Sequence, residues 1–133
     1  MEIKAYDFIQ QKIKNLSEIN LNITANTFYN YDEVNFLCKL NENVSNLAVI
    51  FHGASMVSGK ERIVFRGYEF ILPNVDILSI SDSLLNIYKD NQFFWFLPTE
   101  KYKLHKKYRK IIQYFVDSKK YKKIVFIYLL DLF

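Results

Sequence analysis

Glycine and proline are scarce in this sequence, with 3 Gly and 2 Pro among 133 residues. Because these two residues most often interrupt helices and strands, their scarcity indicates that most of the chain is regular structure. Half of the residues are hydrophobic and 17% are aromatic, which is enough apolar material to form a core. We therefore expect residues 1–133 to form one domain.

Cysteine and histidine are also scarce. Cys38 is the single cysteine, which excludes an intrachain disulfide framework and a cysteine-rich metal site. With two histidines in the chain, a histidine-based metal site has little support. We therefore expect no bound metal and no cofactor.

The sequence contains no apolar run near the roughly 20 residues that a membrane-spanning helix needs. The N-terminal residues 1–7 lack the pattern of a basic segment followed by an apolar one that marks a secretory signal. A cytoplasmic location without a membrane span is the expectation.

Charge is unevenly distributed. Residues 1–100 carry 8 Lys/Arg and 12 Asp/Glu, whereas residues 101–133 carry 10 Lys/Arg and 2 Asp. A basic C-terminal third is typical of a segment that binds an anionic partner. It is equally typical of one helix with a solvated face, and the sequence leaves both interpretations open.

The sheet is predicted around the apolar run Leu47–Phe51, which stops at His52-Gly53. A short continuous apolar run is typical of a strand buried on both faces. Alternating polar and apolar residues predict two earlier strands, at 19–24 and 34–40, with a turn at 30–32. Together they predict antiparallel strands that lead as a meander into the middle of the sheet, spanning 19–53.

The remaining elements follow from the same patterns. Apolar spacing predicts an N-terminal helix over 2–17 and a basic crossover helix over 100–117. Residues 62–82 are predicted to form a strand pair, and residues 123–130 a last strand. Because a strand, a helix and a strand follow one another at 75–130, the two strands should run parallel.

Three short motifs in this order resemble α/β-hydrolase-like proteins of bacterial capsule and surface-polysaccharide biosynthesis. They are Val49-Ile50-Phe51-His52-Gly53-Ala54, Leu78-Ser79-Ile80-Ser81-Asp82 and Trp95-Phe96-Leu97-Pro98-Thr99. The resemblance covers roughly residues 30–128. The chain departs from the family pattern at Ser83, where Pro is usual, and at Pro98, where Gly is usual. The implied fold class is α/β, a partial hydrolase-like sheet with antiparallel N-terminal strands, then parallel strands, and flanking helices.

The resemblance also implies roles for individual residues. His52, Gly53 and Ala54 would supply a backbone N–H to an oxyanion site, because one donor comes from the loop after the third strand. Asp82 and Trp95 would line the pocket. Each has a simpler alternative: His52 forms a turn, Asp82 caps a helical turn at 83–89, and Trp95 packs in the core.

In hydrolases, the strand after the crossover helix leads into a Gly-x-Ser-x-Gly nucleophile elbow. Here Tyr128–Phe133 follow the strand without Gly or Ser. The resemblance therefore predicts an incomplete domain: an inactive fragment of a transferase or esterase whose full-length parent uses a saccharide or an activated-group donor. The last strand would then expose its edge at Ile124–Leu130, where we expect self-association.

The alternative function is a small basic interaction module that binds an anionic partner through residues 101–123. Its candidate surface consists of five residues: Lys103, Lys106, Lys107, Arg109 and Lys110. Nucleic acid is not the partner we expect. A salt titration separates the alternatives, because binding to a polyanion weakens steeply with salt.

Overall fold

A computed structural model describes residues 2–4, 9–21, 27–42, 44–52, 64–66, 74–81 and 104–129. Strands and helices within these ranges are, in chain order, β1 (Glu2–Lys4), β2 (Ile9–Ile13), a short 3-10 helix (Leu16–Glu18), β3 (Thr27–Tyr31), β4 (Val34–Lys39), β5 (Asn46–His52), β6 (Val64–Arg66), β7 (Val75–Ile80), α1 (Leu104–Lys119) and β8 (Lys123–Leu129).

Six of these strands form one mixed sheet in the order β2-β3-β4-β7-β5-β8. β4 runs antiparallel to both of its neighbours, β3 and β7. The pairs β2–β3, β5–β7 and β5–β8 are parallel. β1 and β6 form a separate antiparallel pair. The predicted α/β class is observed in its coarse form, as a mixed six-stranded sheet with one α-helix among the described residues. The predicted order of antiparallel strands followed by parallel ones is wrong at the start of the sheet, because β2 and β3 are parallel.

The predicted N-terminal helix at 2–17 is wrong. The structure has β1, β2 and the short 3-10 helix in this region. The spacing between Ile9 and Ile13 is even, so it places both residues on one side of a strand as readily as on one side of a helix. Parallel pairing with β3 decides between the two. The carboxylate of Glu18 then accepts the backbone N–H groups of Lys14 and Asn15 at 2.8 Å, which lowers the pKa of Glu18.

Other predicted strands also need correction. Ile19 to Leu21 are not a strand, and the first strand of the predicted meander is β3 instead. The chain turns at Asp32 and Glu33 rather than at 30–32. Both turn residues have positive φ, 50° and 70°, as a two-residue hairpin turn requires.

The predicted meander and the predicted 62–82 strand pair are both wrong in their pairing. β7 lies between β4 and β5, so the chain leaves the sheet after β4 and returns beyond β7. β6 pairs with β1 rather than with β7. Local alternation predicts where strands occur, but pairing between distant segments is not visible in it.

α1 packs on one face of the sheet. Tyr108, Ile111 and Phe115 are buried, as the apolar stripe of the predicted helix requires. Phe115 meets Phe36 of β4 edge to face, with ring centroids 6.2 Å apart. The opposite face is buried too, as its side chains show: Phe28, Leu37, Ala48, Ile50 and Ile77. Burial on both faces explains the continuous apolar run of β5.

A buried carboxylate holds the N-terminal ends of the parallel strands. Asp76 is 0% exposed at the start of β7. Its Oδ1 accepts the backbone N–H of Asn41 at 2.7 Å, and its Oδ2 accepts the Tyr121 hydroxyl at 2.6 Å. The Nζ of Lys119, at the end of α1, lies 2.5 Å from Oδ2. The carboxylate therefore joins β7, the segment after β4 and the end of α1.

Two neighbours of Asp76 hold their protons more tightly than usual. Burial, and secondarily the Asp76 charge, raises the pKa of the Cys38 thiol far above its ordinary value. Burial and the hydrogen bond to Asp76 raise the pKa of Tyr121 in the same direction. Both groups therefore stay neutral beside the Asp76–Lys119 ion pair.

Replacement of Asp76 with Asn should lower the free energy of unfolding by about 3–5 kcal/mol, because it leaves the Lys119 cation without its buried partner. Urea unfolding of Asp76→Asn against the wild type measures the change. Asp117→Asn is the matched control, since Asp117 is exposed on α1 and accepts a hydrogen bond from Gln113. Equal losses in the two variants would contradict a structural role for the cluster.

Stability should also fall at alkaline pH. The folded-state pKa values of Cys38 and Tyr121 are raised, so the stability they contribute is complete below the ordinary values of 9.0 and 10.0. It is lost as the pH rises above these values, because the unfolded chain then releases protons that the folded chain retains. Urea unfolding at several pH values above neutrality measures the decline.

Cys38→Ala is the informative variant for this pH dependence. Without the thiol, the decline should begin near 10.0, the ordinary value of Tyr121, instead of near 9.0, the ordinary value of cysteine. A wild-type stability that stays constant across this range would contradict the assignment.

Candidate functional site

The candidate site lies where β5, β7 and β8 end. We call this side of the sheet, formed by the carboxyl ends of the parallel strands, the C-terminal edge. In open α/β sheets, ligands bind outside the carboxyl ends of the parallel strands. The register pairs Phe51 with Ile80 and His52 with Leu129. One residue past the Phe51–Ile80 pair, His52 and Ser81 follow, so His52 lies between Ser81 and Leu129. The strand ends thus bring these three backbone positions together.

α1 begins at this edge and ends at the opposite one. Near its start, Tyr108 packs against Phe51 at the end of β5, with ring centroids 6.4 Å apart. At its end, Lys119 pairs with Asp76 at the start of β7. The helix therefore runs antiparallel to β5, and the positive end of its dipole lies on the side of the candidate site.

A cluster of amide side chains, of which Asn35 is buried, Asn30 half-buried and Gln10 exposed, supports the end of β7. The backbone N–H of Ser81 donates to the carbonyl oxygen of Asn35 at 3.0 Å. The side-chain Oδ1 of Asn35 accepts Asn30 Nδ2 at 2.8 Å and Gln10 Nε2 at 3.5 Å. Asn35 is 4% exposed and Ser81 is 0% exposed. The cluster therefore ties β2, β3 and β4 to the point where the chain leaves β7.

Asn35 was not singled out by the sequence analysis, in which it is only one polar position of the predicted strand at 34–40. The available signal was its residue type, because Asn is depleted in strands. An Asn between Val34 and Phe36 therefore needs a hydrogen-bonding reason to be there. The structure supplies that reason through Asn30 and Gln10.

The residues predicted for the site are only partly placed. His52 is the last residue of β5 and lies at the edge, but its side chain is not among those described. Gly53, Ala54, Asp82 and Trp95 lie outside the described residues. The structure therefore places the strand end that leads into the proposed oxyanion loop, and the residue immediately before Asp82.

The predicted basic surface is partly used within the chain. Lys107 Nζ lies 3.4 Å from Asp32 Oδ1 and 3.7 Å from Glu33 Oε2 in the β3–β4 turn. Lys110 Nζ lies 5.5 Å from the centroid of the Tyr31 ring. Hydrogen bonding to Tyr31 raises the pKa of Lys110 above its ordinary value.

The other three residues of the predicted basic surface are placed only in part. Lys106 and Arg109 are exposed on α1, and Lys103 lies outside the described residues. Two of the five predicted cations thus help to fasten the β3–β4 hairpin to α1, which favours a packing role for that side of the helix.

The cysteine and two of the serines in the sheet are buried, which does not favour them as nucleophiles. Cys38 is buried, and its raised pKa keeps the thiol in the unreactive protonated form. Ser79 and Ser81 are also buried. Within the described ranges, no three His, Cys, Asp or Glu side chains are grouped so that they could hold a metal ion, and no helix has the length and apolarity to cross a bilayer.

No protein-family model, no curated protein and no solved structure matches this chain.

Replacement of Asn35 with Ala should lower the free energy of unfolding by about 1–3 kcal/mol, because the Asn30 amide loses its buried acceptor. Combining it with Asn30→Ala should show coupling of about 0.5–3 kcal/mol in a double-mutant cycle measured by urea unfolding. Gln113→Ala, on the exposed side of α1, is the control. Fully additive losses for Asn30 and Asn35 would contradict the amide cluster.

Proposed function

We propose that this chain forms the oxyanion side of an α/β-hydrolase-type transferase or esterase that acts on a surface polysaccharide. The observation that carries the proposal is the parallel pairing of β5 with β8, in which His52 lies opposite Leu129. The proposal includes the cytoplasmic location expected from the N-terminal sequence.

The chemistry of the fold explains why this pairing matters. A hydrolase oxyanion hole combines the backbone N–H after the nucleophile with an N–H from the loop after the third strand. Because both donors must reach one oxygen atom, the two strands that carry them must end side by side. β5 leads into His52-Gly53-Ala54, and β8 is the strand after the crossover helix. These strands are neighbours and parallel.

The connections around β5 support the same site. From β5 the chain goes to β7 on one side, and from β7 it crosses through α1 to β8 on the other side. The strand order therefore reverses next to β5, and in doubly wound sheets ligands bind in the crevice at the carboxyl ends of the strands where the order reverses. The crevice at the end of β5 is therefore where we place the reacting group.

The proposed chemistry is addition to an acyl carbonyl. The N–H groups after β5 would stabilise the oxyanion that develops in the transition state. Transfer and hydrolysis differ in whether a sugar hydroxyl or water takes the acyl group. The polysaccharide substrate rests on the family resemblance alone. The 133 residues contain no Gly-x-Ser-x-Gly sequence, so we expect no covalent catalysis from them by themselves.

Reading the gene in all three frames from the codons of β8 through and beyond codon 133 tests the proposal. We expect a Gly-x-Ser-x-Gly elbow shortly after the β8 codons, followed by an acid and a histidine. If no frame contains these residues, the proposed function is wrong.

A kinetic test applies to the protein extended by that downstream segment. Ala54→Pro removes one backbone N–H after β5, and kcat for ester cleavage should fall about 10²- to 10³-fold if that group is the oxyanion donor. Ala54→Gly retains the N–H and is the matched control. Gly53→Pro tests the neighbouring donor. Unchanged kcat in both proline variants would contradict the proposed oxyanion site.

A further inference from the structure

We infer that the open edge of β8 pairs with β8 of a second copy of this chain, antiparallel, to form a closed two-fold dimer. The inference concerns the 133-residue chain, in which the described residues leave the outer edge of β8 unpaired, and it uses none of the proposed hydrolase chemistry. A strand edge exposes unpaired backbone N–H and C=O groups, which pair readily with another strand.

The edge itself is apolar and exposed. Among the described residues, β8 is the outermost strand on its side of the sheet, with β5 as its neighbour. Val125 is 44% exposed and Phe126 is 53% exposed, the two large hydrophobic side chains with such exposure among the described residues. Successive side chains of a strand point to opposite faces. The strand is therefore accessible on both faces, and an added strand would cover apolar side chains on each.

The composition of the two outermost strands, β2 and β8, argues that a second β8 is the partner of β8. The other edge strand, β2, exposes Gln10, Gln11 and Lys12. Pairing β8 with β2 of another copy would place these polar side chains beside Val125 and Phe126. Pairing β8 with β8 matches apolar residues with apolar residues. A contact between identical strands also closes after two copies, whereas β8–β2 contacts would continue into filaments.

Charge selects the antiparallel orientation. Lys122 and Lys123 stand at the start of β8, and Ile124 to Leu129 carry no charge. Parallel pairing in register would place the lysines of the two copies side by side. Antiparallel pairing separates them by roughly 20 Å, the length of a strand of this size. All seven residues of β8 overlap when Phe126 lies opposite Phe126 of the second copy.

Sedimentation equilibrium of the 133-residue chain tests the dimer. We expect twice the chain mass of 15.9 kDa for the wild type. Phe126→Lys should give the single-chain mass, because the new cation would lie opposite the same cation of the second copy. Gln113→Lys, an equally charged change on the exposed side of α1, should remain dimeric. Circular dichroism checks that each variant is folded. A monomeric wild type, or polymers larger than a dimer, would overturn the inference.

Disulfide trapping tests the orientation. In the antiparallel dimer, Phe126→Cys should cross-link to itself under mild oxidation, because the two copies of residue 126 are opposite each other. Lys123→Cys should not cross-link, because it lies opposite Leu129 of the second copy. The wild type is the control, since Cys38 is buried. Cross-linking at 123, or its absence at 126, would overturn the antiparallel arrangement.

Discussion

The Asp76 carboxylate is the constraint on which the arrangement of this sheet depends. A buried carboxylate is costly unless it is paired and hydrogen-bonded. Asn41, Lys119 and Tyr121 supply three donors, one from the segment after β4 and two from the end of α1 and the residues just after it. Such a cluster contributes less net stability than its contacts suggest, but it penalises every arrangement that leaves the charge unpaired. It therefore favours one position of α1 against the sheet.

The N-terminal and C-terminal ends of the parallel strands carry different polar groups. At the N-terminal edge, polar groups are bound to one another: Asn74 Oδ1 accepts the N–H of Ser45, and the Ser45 carbonyl accepts the N–H of Lys122 at 2.6 Å. At the C-terminal edge, strand ends lead into His52-Gly53 and Ser81-Asp82. Hydrogen bonds at the N-terminal ends hold the strands in place, and polar residues follow them at the C-terminal ends. A functional site needs such a fixed scaffold for the groups that it positions.

The sequence predicted the elements whose patterns are local. Each of these patterns is visible in a short stretch of sequence. They are the apolar runs of β5, β7 and β8, which are typical of buried strands, and the apolar stripe of α1, which is typical of a helix with one buried face. The N-terminal helix was wrong because Ile9 and Ile13 fit both periods, and only pairing with β3 distinguishes them. Asp76 was not predicted as a cluster residue, because its partners are distant in sequence. Lys119 lies 43 positions from Asp76, so no window of local pattern contains both. Asn35 was not predicted because its pairing with Asn30 depends on the register of the β3–β4 hairpin.

The same separation explains how much of the candidate site the sequence supplies. His52-Gly53 marks a strand end without any knowledge of its neighbours, so its place at the sheet edge follows from local pattern. That β8 is the neighbour depends on the order of strands, which the apolar runs do not encode. The pairing of β5 with β8 is therefore the structural contribution to the functional argument.

One strand, β8, links the proposed site to the proposed dimer. Its β5 side brings residue 129 beside His52, and its other side is the open edge with Val125 and Phe126 exposed. Edge pairing adds hydrogen bonds along the whole strand, so it would restrain the backbone on both sides of β8. A second copy would thus order the strand whose end helps to form the candidate site, without contributing a side chain to it. Association and site geometry are coupled through β8 because both depend on the same backbone.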